Sequence, residues 1–376
     1  MKYFLARDAV LKWLEAPHVY KISTDELYEL DNDSFRFLKN CASVKGCYAE
    51  NSEFINYCLG EGILTKNKDL SSHPPLIKSP VPSLRYLELQ ITNKCNLKCR
   101  HCYIGDKDIS ELSVEKIKNI LKEFEEMQGL RTLITGGEPL LHSKFDEINE
   151  MLPEFFIRKV LFTNGLLLNK RILKRLNVNE IQISIDGLED AHDSLRGKGT
   201  FKVAINAVKH AIDSGFEVSV STMIHAKNLE DFDDMDRLFK DLGIKDWTVD
   251  IPCITGRLKE NLEFQMSPEV GGKYLRYGFN NGIHASASGF ACGLHLMAVM
   301  ADENAAKCTF YADNPVGRIE EGLRNCWHRI KPIRLDELKC YCNYIDSCRG
   351  GCRYRASLFG DPCGKDIYKC YFYGII

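Results

Sequence analysis

Three cysteines in one short segment have the spacing of metal ligands. Cys95, Cys99 and Cys102 lie in "KCNLKCRHC", a C-x3-C-x2-C pattern. Three thiolates on one loop would hold three irons of a [4Fe–4S] cluster, which takes four ligands in its stable form. The fourth iron would stay open, and an open position distinguishes a reactive metal site from a structural one. The alternative is a zinc knuckle or a redox pair, with His101 as the other nearby ligand.

A second set of cysteines crowds the C-terminal part of the chain. The chain has 16 cysteines in 376 residues. Those beyond the first segment include Cys292, Cys308, Cys340, Cys342, Cys348, Cys352, Cys363 and Cys370. Disulfide frameworks belong to small secreted domains, whereas clustered cysteines in a reducing compartment are more often metal ligands. The sequence therefore predicts further iron–sulfur sites, with two structural zinc sites as the alternative.

Composition and charge exclude several classes of function. The formal net charge of −2 gives no electrostatic basis for binding nucleic acid or a membrane surface. No stretch approaches the length of apolar sequence that spans a membrane, and charges interrupt the opening residues too often for a signal peptide. We therefore expect a cytoplasmic protein with neither nucleic acid nor membrane as a partner.

Changes in periodicity predict three domains. Residues 1–72 mix short β-rich runs with two helices, as in a small α+β domain. Residues 73–83 form a proline-rich linker. Residues 84–264 alternate six strands with helices, which predicts an α/β fold, an open six-unit barrel with ligands at the carboxyl ends of its strands. Residues 265–376 lose this periodicity, so we expect a loop-rich domain held together by metal on its cysteines.

Polar side chains mark the expected starts of three helices. Asp33 and Ser52 precede the two helical runs of the N-terminal segment. Ser113 precedes "VEKIKNILKEFEE", in which apolar residues recur at helical spacing. Short polar side chains at these positions accept hydrogen bonds from the first free N–H groups of a helix, so we predict that all three are N-caps.

Short polar motifs follow the predicted barrel strands in chain order. "GGEP" begins at Gly136 after the second strand, and "SIDG" begins at Ser184 after the fourth. Arg196 lies in the segment that follows, and "IPCI" ends at Ile254 after the sixth strand. Glycine lets the backbone approach a ligand closely, and a guanidinium group matches a planar carboxylate. Each motif alone has a structural explanation, but together they predict one ligand site at this edge of the sheet.

The cysteine loop and these motifs resemble the signature of the radical S-adenosylmethionine (SAM) superfamily. In that family SAM chelates the open iron of a [4Fe–4S] cluster, and one electron from the cluster cleaves SAM to a 5′-deoxyadenosyl radical. The resemblance implies a SAM site formed by His101, Gly136, Gly137, Glu138, Ser184, Arg196 and Ile254. Arg196 would pair with the SAM carboxylate, and Ile254 would pack on adenine. Glu138 or an adjacent backbone group would accept from the SAM amino group.

The C-terminal cysteines resemble the SPASM domain, an auxiliary-cluster extension of many peptide-modifying radical SAM enzymes. The resemblance implies two auxiliary Fe–S clusters, one on Cys340, Cys342, Cys348 and Cys370, the other on Cys292, Cys308 and Cys352. The first group departs from the family in beginning with C-x-C. The second lacks the usual cysteine before Cys292, so His284, Cys363, an external ligand or a smaller cluster would have to account for its fourth position.

The N-terminal 72 residues resemble the peptide-recognition element of enzymes that mature ribosomally made peptides. Such elements bind a leader peptide by strand addition at a sheet edge. A winged-helix-like docking or dimerisation module is the alternative. Together the resemblances imply a radical SAM maturase that modifies a peptide side chain, with a thioether or another cross-link as product. They also imply a low-potential electron donor of the flavodoxin or ferredoxin type.

Two other functions remain open at this point. One is a radical SAM enzyme of haem or other small-molecule cofactor biosynthesis, since such enzymes carry similar C-terminal cysteines. The other is an iron–sulfur or zinc scaffold that binds peptide without catalysis. An intact SAM site argues against the scaffold, because a scaffold needs neither "GGEP" nor Arg196. No side chain is assigned a catalytic role.

Overall fold

The computed structural model describes residues 1–50, 52–68, 73–280 and 289–376. Within these ranges the strands form two small three-stranded sheets and one sheet of nine strands. None of the helices in the described ranges has the length and apolarity needed to cross a membrane.

The N-terminal segment builds both small sheets. Its elements are β1 (Lys2–Leu5), β2 (Ala9–Trp13), β3 (Pro17–Lys21), β4 (Glu26–Glu29), α1 (Asn32–Cys41), β5 (Cys47–Tyr48), α2 (Glu53–Gly60) and β6 (Leu64–Thr65). Strands β2, β3 and β4 form an antiparallel sheet with β4 at one edge, and β1 lies between β5 and β6. Buried Leu38 and Cys41 of α1 pack with Ile55 and Cys58 of α2 in one apolar core.

One of the two predicted N-caps in this segment is correct, and the other lies two residues away. Ser52 accepts a hydrogen bond from the N–H of Ile55 and begins α2. Helix α1 begins after Asp31, whose carboxylate accepts from the N–H of Ser34. The prediction of Asp33 as the cap was therefore wrong. Asp33 lies in the first turn of α1, where a carboxylate still interacts favourably with the helix dipole.

Six parallel strands form the larger part of the nine-stranded sheet. The elements are β7 (Tyr86–Thr92), α3 (Val114–Glu126), β8 (Arg131–Gly136), α4 (Phe145–Met151), β9 (Arg158–Thr163), α5 (Lys170–Leu173), β10 (Glu180–Ser184), α6 (Glu189–Arg196), α7 (Thr200–Asp213), β11 (Glu217–Met223), α8 (Phe232–Leu242) and β12 (Asp246–Asp250). Strands β7 to β12 neighbour one another in chain order. Ser113 caps α3 as predicted. This open arrangement confirms the predicted α/β partial barrel.

The C-terminal segment extends the same sheet, which was not expected. Its elements are α9 (Pro268–Tyr274), β13 (Leu296–Val299), β14 (Asn304–Ala306), β15 (Gly317–Arg318), α10 (Leu323–Arg329), α11 (Ile345–Cys348), α12 (Arg353–Leu358) and α13 (Ile367–Phe372). Strand β13 runs parallel to β7, and β14 and β15 follow antiparallel. These strands have only four, three and two residues, so they carry too little periodicity to be recognised in the sequence.

Buried charged side chains join the N-terminal sheet to the barrel. Lys12 Nζ donates to the carbonyl of Gly129 at 2.7 Å. The Arg158 guanidinium donates to the carbonyls of Ile22 and Ser23, each at 2.9 Å. Because Arg158 is the first residue of β9, this contact lies at the amino ends of the strands. The carboxyl ends, where the sequence predicts the ligand site, lie on the opposite side of the barrel.

Candidate active site

A cavity of about 320 Å³ lies at the carboxyl ends of the barrel strands. The predicted site residues in its walls are Cys95, Cys99, Cys102, His101, Gly136, Gly137, Ser184 and Arg196. Two other predicted residues, Glu138 and Ile254, are not part of its lining. The fold therefore brings together residues from the cysteine loop, from the ends of β8 and β10, and from α6.

Backbone hydrogen bonds hold the cysteine loop against the rest of the barrel. The N–H of Arg100 donates to the carbonyl of Leu195 at 2.9 Å, and the N–H of Arg257 donates to that of Cys102 at 3.0 Å. Burial raises the pKa of the Cys99 thiol to about 11. This thiol is therefore protonated at neutral pH without metal, and iron binding would release its proton.

Gly137 packs against the cysteine loop. A Cβ at this position would lie 2.5 Å from the carbonyl oxygen of Lys94 and 2.6 Å from that of Asn93. Gly256 has a φ of +49° and approaches the loop from the other side, where a Cβ would overlap the carbonyl of Cys102. We expected the "GGEP" glycines to make room for a cofactor. The close approach at Gly137 is instead to the backbone that positions the first cysteine.

The Glu138 carboxylate supports the strand ends and does not face the cavity. It is fully buried and accepts the hydroxyl of Thr163 at 2.8 Å and the N–H of Asn164 at 2.9 Å. Burial raises its pKa to about 7, although these hydrogen bonds oppose the shift. Of the two possibilities for binding an amino group here, only the adjacent backbone at Gly136 and Gly137 lines the cavity.

Arg196 is positioned by Asp186, a residue that the sequence alone did not single out. Asp186 is fully buried and accepts Arg196 Nε–H at 2.5 Å and the N–H of Met223 at 2.7 Å. Burial alone would raise the pKa of Asp186, but Arg196 and then His101 outweigh it and hold that pKa below its usual range. Arg196 Nη1 lies 4.0 Å from Cys99 Sγ, so the guanidinium stands beside the thiols.

His101 completes this group. Its Nε2 lies 4.0 Å from Asp186 Oδ2, and burial lowers its pKa to about 4, so the imidazole is neutral. Its Nδ1 is buried without a hydrogen-bond partner, which is unusual in a folded protein and fits a site built around a bound group. Three thiols, a guanidinium and this nitrogen therefore fit the cluster and SAM that the resemblance implies.

The segment after β12 lines the cavity through other residues than the predicted Ile254. Pro252 and Cys253 form the wall there. Asp250, the last residue of β12, also lines the cavity, and Arg355 Nη1 donates to it at 2.5 Å. Arg355 belongs to α12, so the C-terminal segment contributes directly to fixing this wall.

Cys292, Cys308 and Cys352 lie together near this cavity. Burial raises the pKa of Cys308 well above its ordinary value, and Glu88, Cys292 and Cys352 raise it further. Burial lowers the pKa of Lys307, and all three thiols oppose that shift. These mutual effects show that the three thiols share one neighbourhood, which is the grouping that the resemblance implies.

A second neighbourhood contains the other four cysteines of the predicted clusters. Burial raises the pKa of Cys370, and the nearby Cys340 and Cys342 contribute in the same direction. Burial likewise raises the pKa of Cys348 to about 11, with a smaller contribution from Cys370. Cys340 and Cys342 therefore both lie close to Cys370 despite the shorter C-x-C spacing, and their binding to one cluster stays a prediction.

Across the described ranges, no three His, Cys, Asp or Glu side chains converge as ligands of a single metal ion. His284 lies outside the described residues, so the fourth ligand beside Cys292, Cys308 and Cys352 stays a prediction.

Sequence reasoning missed several further cavity residues, among them three that bear on the chemistry of the site. Glu88 lies in the middle of β7, and Thr309 and Phe310 follow Cys308. A charged residue in an otherwise apolar strand was a signal that could have identified Glu88. No comparable signal marks Thr309 or Phe310, because only the pairing of β13 with β7 brings their segment to the cavity.

Comparisons with known proteins found a matching family model and several relatives. Residues 89–242 match the family model of the Radical SAM superfamily. The subtilosin biosynthesis protein AlbA of Bacillus subtilis is 29% identical over 52% of this chain and 46% of AlbA. The mycofactocin maturase MftC of Mycolicibacterium smegmatis is 32% identical over 39% of this chain and 40% of MftC. The chain thus spans about half the length of the curated relatives it matches.

Two solved structures share the fold. Streptococcus suis SuiB bound to the precursor peptide SuiA superposes with a TM-score of 0.67 at 15% identity, covering 97% of this chain and 98% of SuiB. The enzyme anSMEcpe with bound AdoMet has a TM-score of 0.63 at 20% identity, covering 77% of this chain and 94% of its own. The wider coverage by SuiB means that its likeness extends over nearly the whole chain.

Proposed function

We propose that this chain is a radical SAM enzyme that modifies a side chain of a peptide, forming a thioether or another cross-link. The cavity that gathers the three cysteines beside a fixed guanidinium carries this proposal. Cys95, Cys99 and Cys102 would hold the cluster, and Arg196, fixed by Asp186, would bind the SAM carboxylate. When bound, the cluster and SAM supply a 5′-deoxyadenosyl radical that removes one hydrogen atom from the substrate. Closing the cross-link would release a proton and one electron, and the proposed auxiliary clusters would accept that electron.

The relatives favour a peptide as substrate. AlbA is a bacteriocin biosynthesis protein, MftC is a maturase, and SuiB has been solved with a precursor peptide. A free leader segment would need an open sheet edge. Strand β4 provides one, because among the described residues it pairs with β3 alone. A low-potential carrier of the flavodoxin or ferredoxin type would deliver the electron.

Incubation with candidate precursors tests the proposal. Protein reconstituted anaerobically with iron and sulfide would be mixed with SAM, a reductant and short peptides encoded beside its gene. We expect 5′-deoxyadenosine together with a peptide that has lost two hydrogens, detected by mass spectrometry. Formation of 5′-deoxyadenosine with every such peptide left unchanged would contradict peptide modification.

Small-molecule chemistry is the second candidate. The AdoMet-dependent heme synthase of Oleidesulfovibrio alaskensis is 27% identical over 54% of this chain, and the Fe-coproporphyrin III synthase of Methanosarcina barkeri is 32% identical over 38%. The same incubation with iron coproporphyrin in place of peptide separates the two functions. A scaffold without catalysis would form no 5′-deoxyadenosine with either substrate.

The proposed leader site has a defined main-chain geometry. In the sheet of β2, β3 and β4, the edge opposite β4 is β2. Strand β2 contacts the barrel, where the N–H of Trp13 donates to Gln128 Oε1. Just after β4, the N–H of Leu30 donates to the carbonyl of Pro17 in β3. Since N–H groups alternate in direction along an antiparallel strand, the N–H of Glu29 points away from β3. An added leader strand would accept a hydrogen bond from it.

Replacing Glu29 with proline is therefore expected to weaken leader binding about tenfold, since it removes an outward donor worth about 1 kcal/mol and disturbs the added ladder. The β3–β4 pairing should survive, because proline is tolerated where the N–H of an edge strand faces solvent. Fluorescence anisotropy with a labelled leader peptide measures the effect. Glu29→Ala keeps the N–H and is the matched control. Equal affinities for the two variants would exclude strand addition at β4.

Iron content tests the two proposed auxiliary clusters. If both are cubanes, reconstituted protein should approach about twelve irons per chain. Replacing Cys340, Cys342, Cys348 and Cys370 with alanine should remove about four of them, and replacing Cys292, Cys308 and Cys352 about four others. Iron and sulfide assays with electron paramagnetic resonance measure the loss. A wild-type protein with only about four irons would refute both clusters.

A further inference from the structure

Glu88 places a carboxylate in the wall of the active-site cavity. It is the one charged residue of β7, whose other residues are apolar or neutral. Its side chain lines the cavity, and its Oε2 accepts the N–H of Thr309 at 2.9 Å. Among the residues that the structure describes, no lysine, arginine or histidine forms an ion pair with it. Glu88 is held in place from one side and free to bind from the other.

The other charged residues of the cavity wall have partners. Arg196 is paired with Asp186, and Asp250 is paired with Arg355. The negative charge of Glu88 is therefore the one that the described walls leave uncompensated. A carboxylate in a poorly solvated place without a cation carries a desolvation cost. An entering cation would relieve this cost.

Aromatic rings stand beside this carboxylate. Tyr103 and Phe310 both line the cavity, and their ring centres are 6.2 Å apart. Phe310 also stacks on Tyr354, which holds its ring. Burial and then Glu88 raise the pKa of Tyr103, so the phenol and the carboxylate are neighbours. A carboxylate with aromatic walls is a chemical environment that suits an ammonium or guanidinium group, through charge and cation–π attraction.

An adjoining cavity gives a path to this place. Its volume is about 430 Å³, and it shares Tyr103 and Phe310 with the active-site cavity. Four aspartates and one lysine are the charged residues of its lining: Asp106, Asp108, Asp302, Asp313 and Lys107. Asp106 pairs with Arg257 and Asp313 pairs with Lys107, so Asp108 and Asp302 are the aspartates of this lining without an ion pair among the described residues. Their negative charge raises the local concentration of cationic groups in this cavity.

We propose that Glu88 binds the ammonium or guanidinium group of a lysine or arginine side chain in the substrate, so that the enzyme selects peptides with a basic residue at or beside the modified position. This inference rests on the proposed function, because it takes the cavity as the place where a peptide is modified. It adds a specificity-determining residue and a chemical class of substrate side chain.

Two small probes test the inference without the natural substrate. N-acetyl-lysine N′-methylamide and N-acetyl-norleucine N′-methylamide differ in the ammonium group, and their binding to the reconstituted protein with SAM is measured by NMR titration. The wild-type protein should bind the lysine probe about tenfold more tightly, as expected for a charge-assisted hydrogen bond. Glu88→Gln keeps an acceptor for Thr309 and should reduce the two affinities to the same value.

Two further variants control for charge and folding. Glu154→Gln makes the same change of charge at a residue whose side chain is 54% exposed and should keep the preference for lysine. Glu88→Asp keeps a carboxylate and should retain part of the preference for the lysine probe. An absent preference in the wild type, or one that persists in Glu88→Gln, would overturn the inference. Since no SAM cleavage is measured, a lysine preference without any peptide modification would overturn only the proposed function.

Discussion

Protein in which Cys95, Cys99 and Cys102 are all replaced by alanine is expected to form no 5′-deoxyadenosine above background. The three thiols are the residues of one loop that line the cavity beside Arg196. Without them the loop has no thiolate left to hold a cluster, and SAM would have no iron to chelate. Anaerobic incubation with SAM and dithionite, followed by chromatography, measures the product.

The same variant should lose only part of its iron. If the C-terminal clusters form independently, iron should fall by about four per chain and not to zero. Replacing Cys41, Cys47 and Cys58 removes the same number of thiols from the N-terminal segment and should preserve both iron and 5′-deoxyadenosine formation. Product formation by the Cys95, Cys99 and Cys102 variant would show that the radical chemistry has been assigned to the wrong cysteines.

Replacing Arg158 with methionine is expected to lower the free energy of unfolding by about 3–5 kcal/mol. The Arg158 side chain is fully buried and donates to Glu180 at 2.9 Å, to Glu217, and to the carbonyls of Ile22 and Ser23. Glu217 keeps Lys245 as a second partner, whereas the buried Glu180 would keep no other ion pair among the described residues. Urea denaturation followed by circular dichroism measures the change.

A matched control separates this effect from the loss of any arginine. Arg175 pairs with Asp146 at the surface, where the two side chains are 48% and 61% exposed. Arg175→Met should therefore change stability by less than about 1 kcal/mol. Adding Glu180→Gln to Arg158→Met should recover part of the loss, because it removes the uncompensated buried charge. Equal destabilisation by Arg158→Met and Arg175→Met would refute the role given to the buried network.

Local patterns along the chain determined much of the site. The spacing of Cys95, Cys99 and Cys102 restricts three thiols to one loop whatever the rest of the chain does. Ser52 and Ser113 cap their helices because the N–H groups that they satisfy lie only three residues away. The alternation of strands and helices also predicted that the motifs after the strands would share one edge of a parallel sheet.

Contacts between distant segments decided the rest. Asp186 positions Arg196 through a hydrogen bond between two separate elements. The Glu138 carboxylate is held away from the cavity by its hydrogen bond with Thr163. Strands β13, β14 and β15, which bring the C-terminal segment to the cavity, are too short to show a periodic pattern of apolar residues in the sequence.

Glu88 is the clearest example of this division. The sequence shows a charge in an apolar strand, which a buried ion pair or a binding site would explain equally well. The tertiary structure places Thr309, 221 residues further along the chain, against one oxygen of that carboxylate and a cavity beside it, with no ion-pair partner among the described residues. Side-chain spacing along the chain specifies local geometry, but only long-range packing determines which buried charge receives a partner from the protein and which faces a ligand.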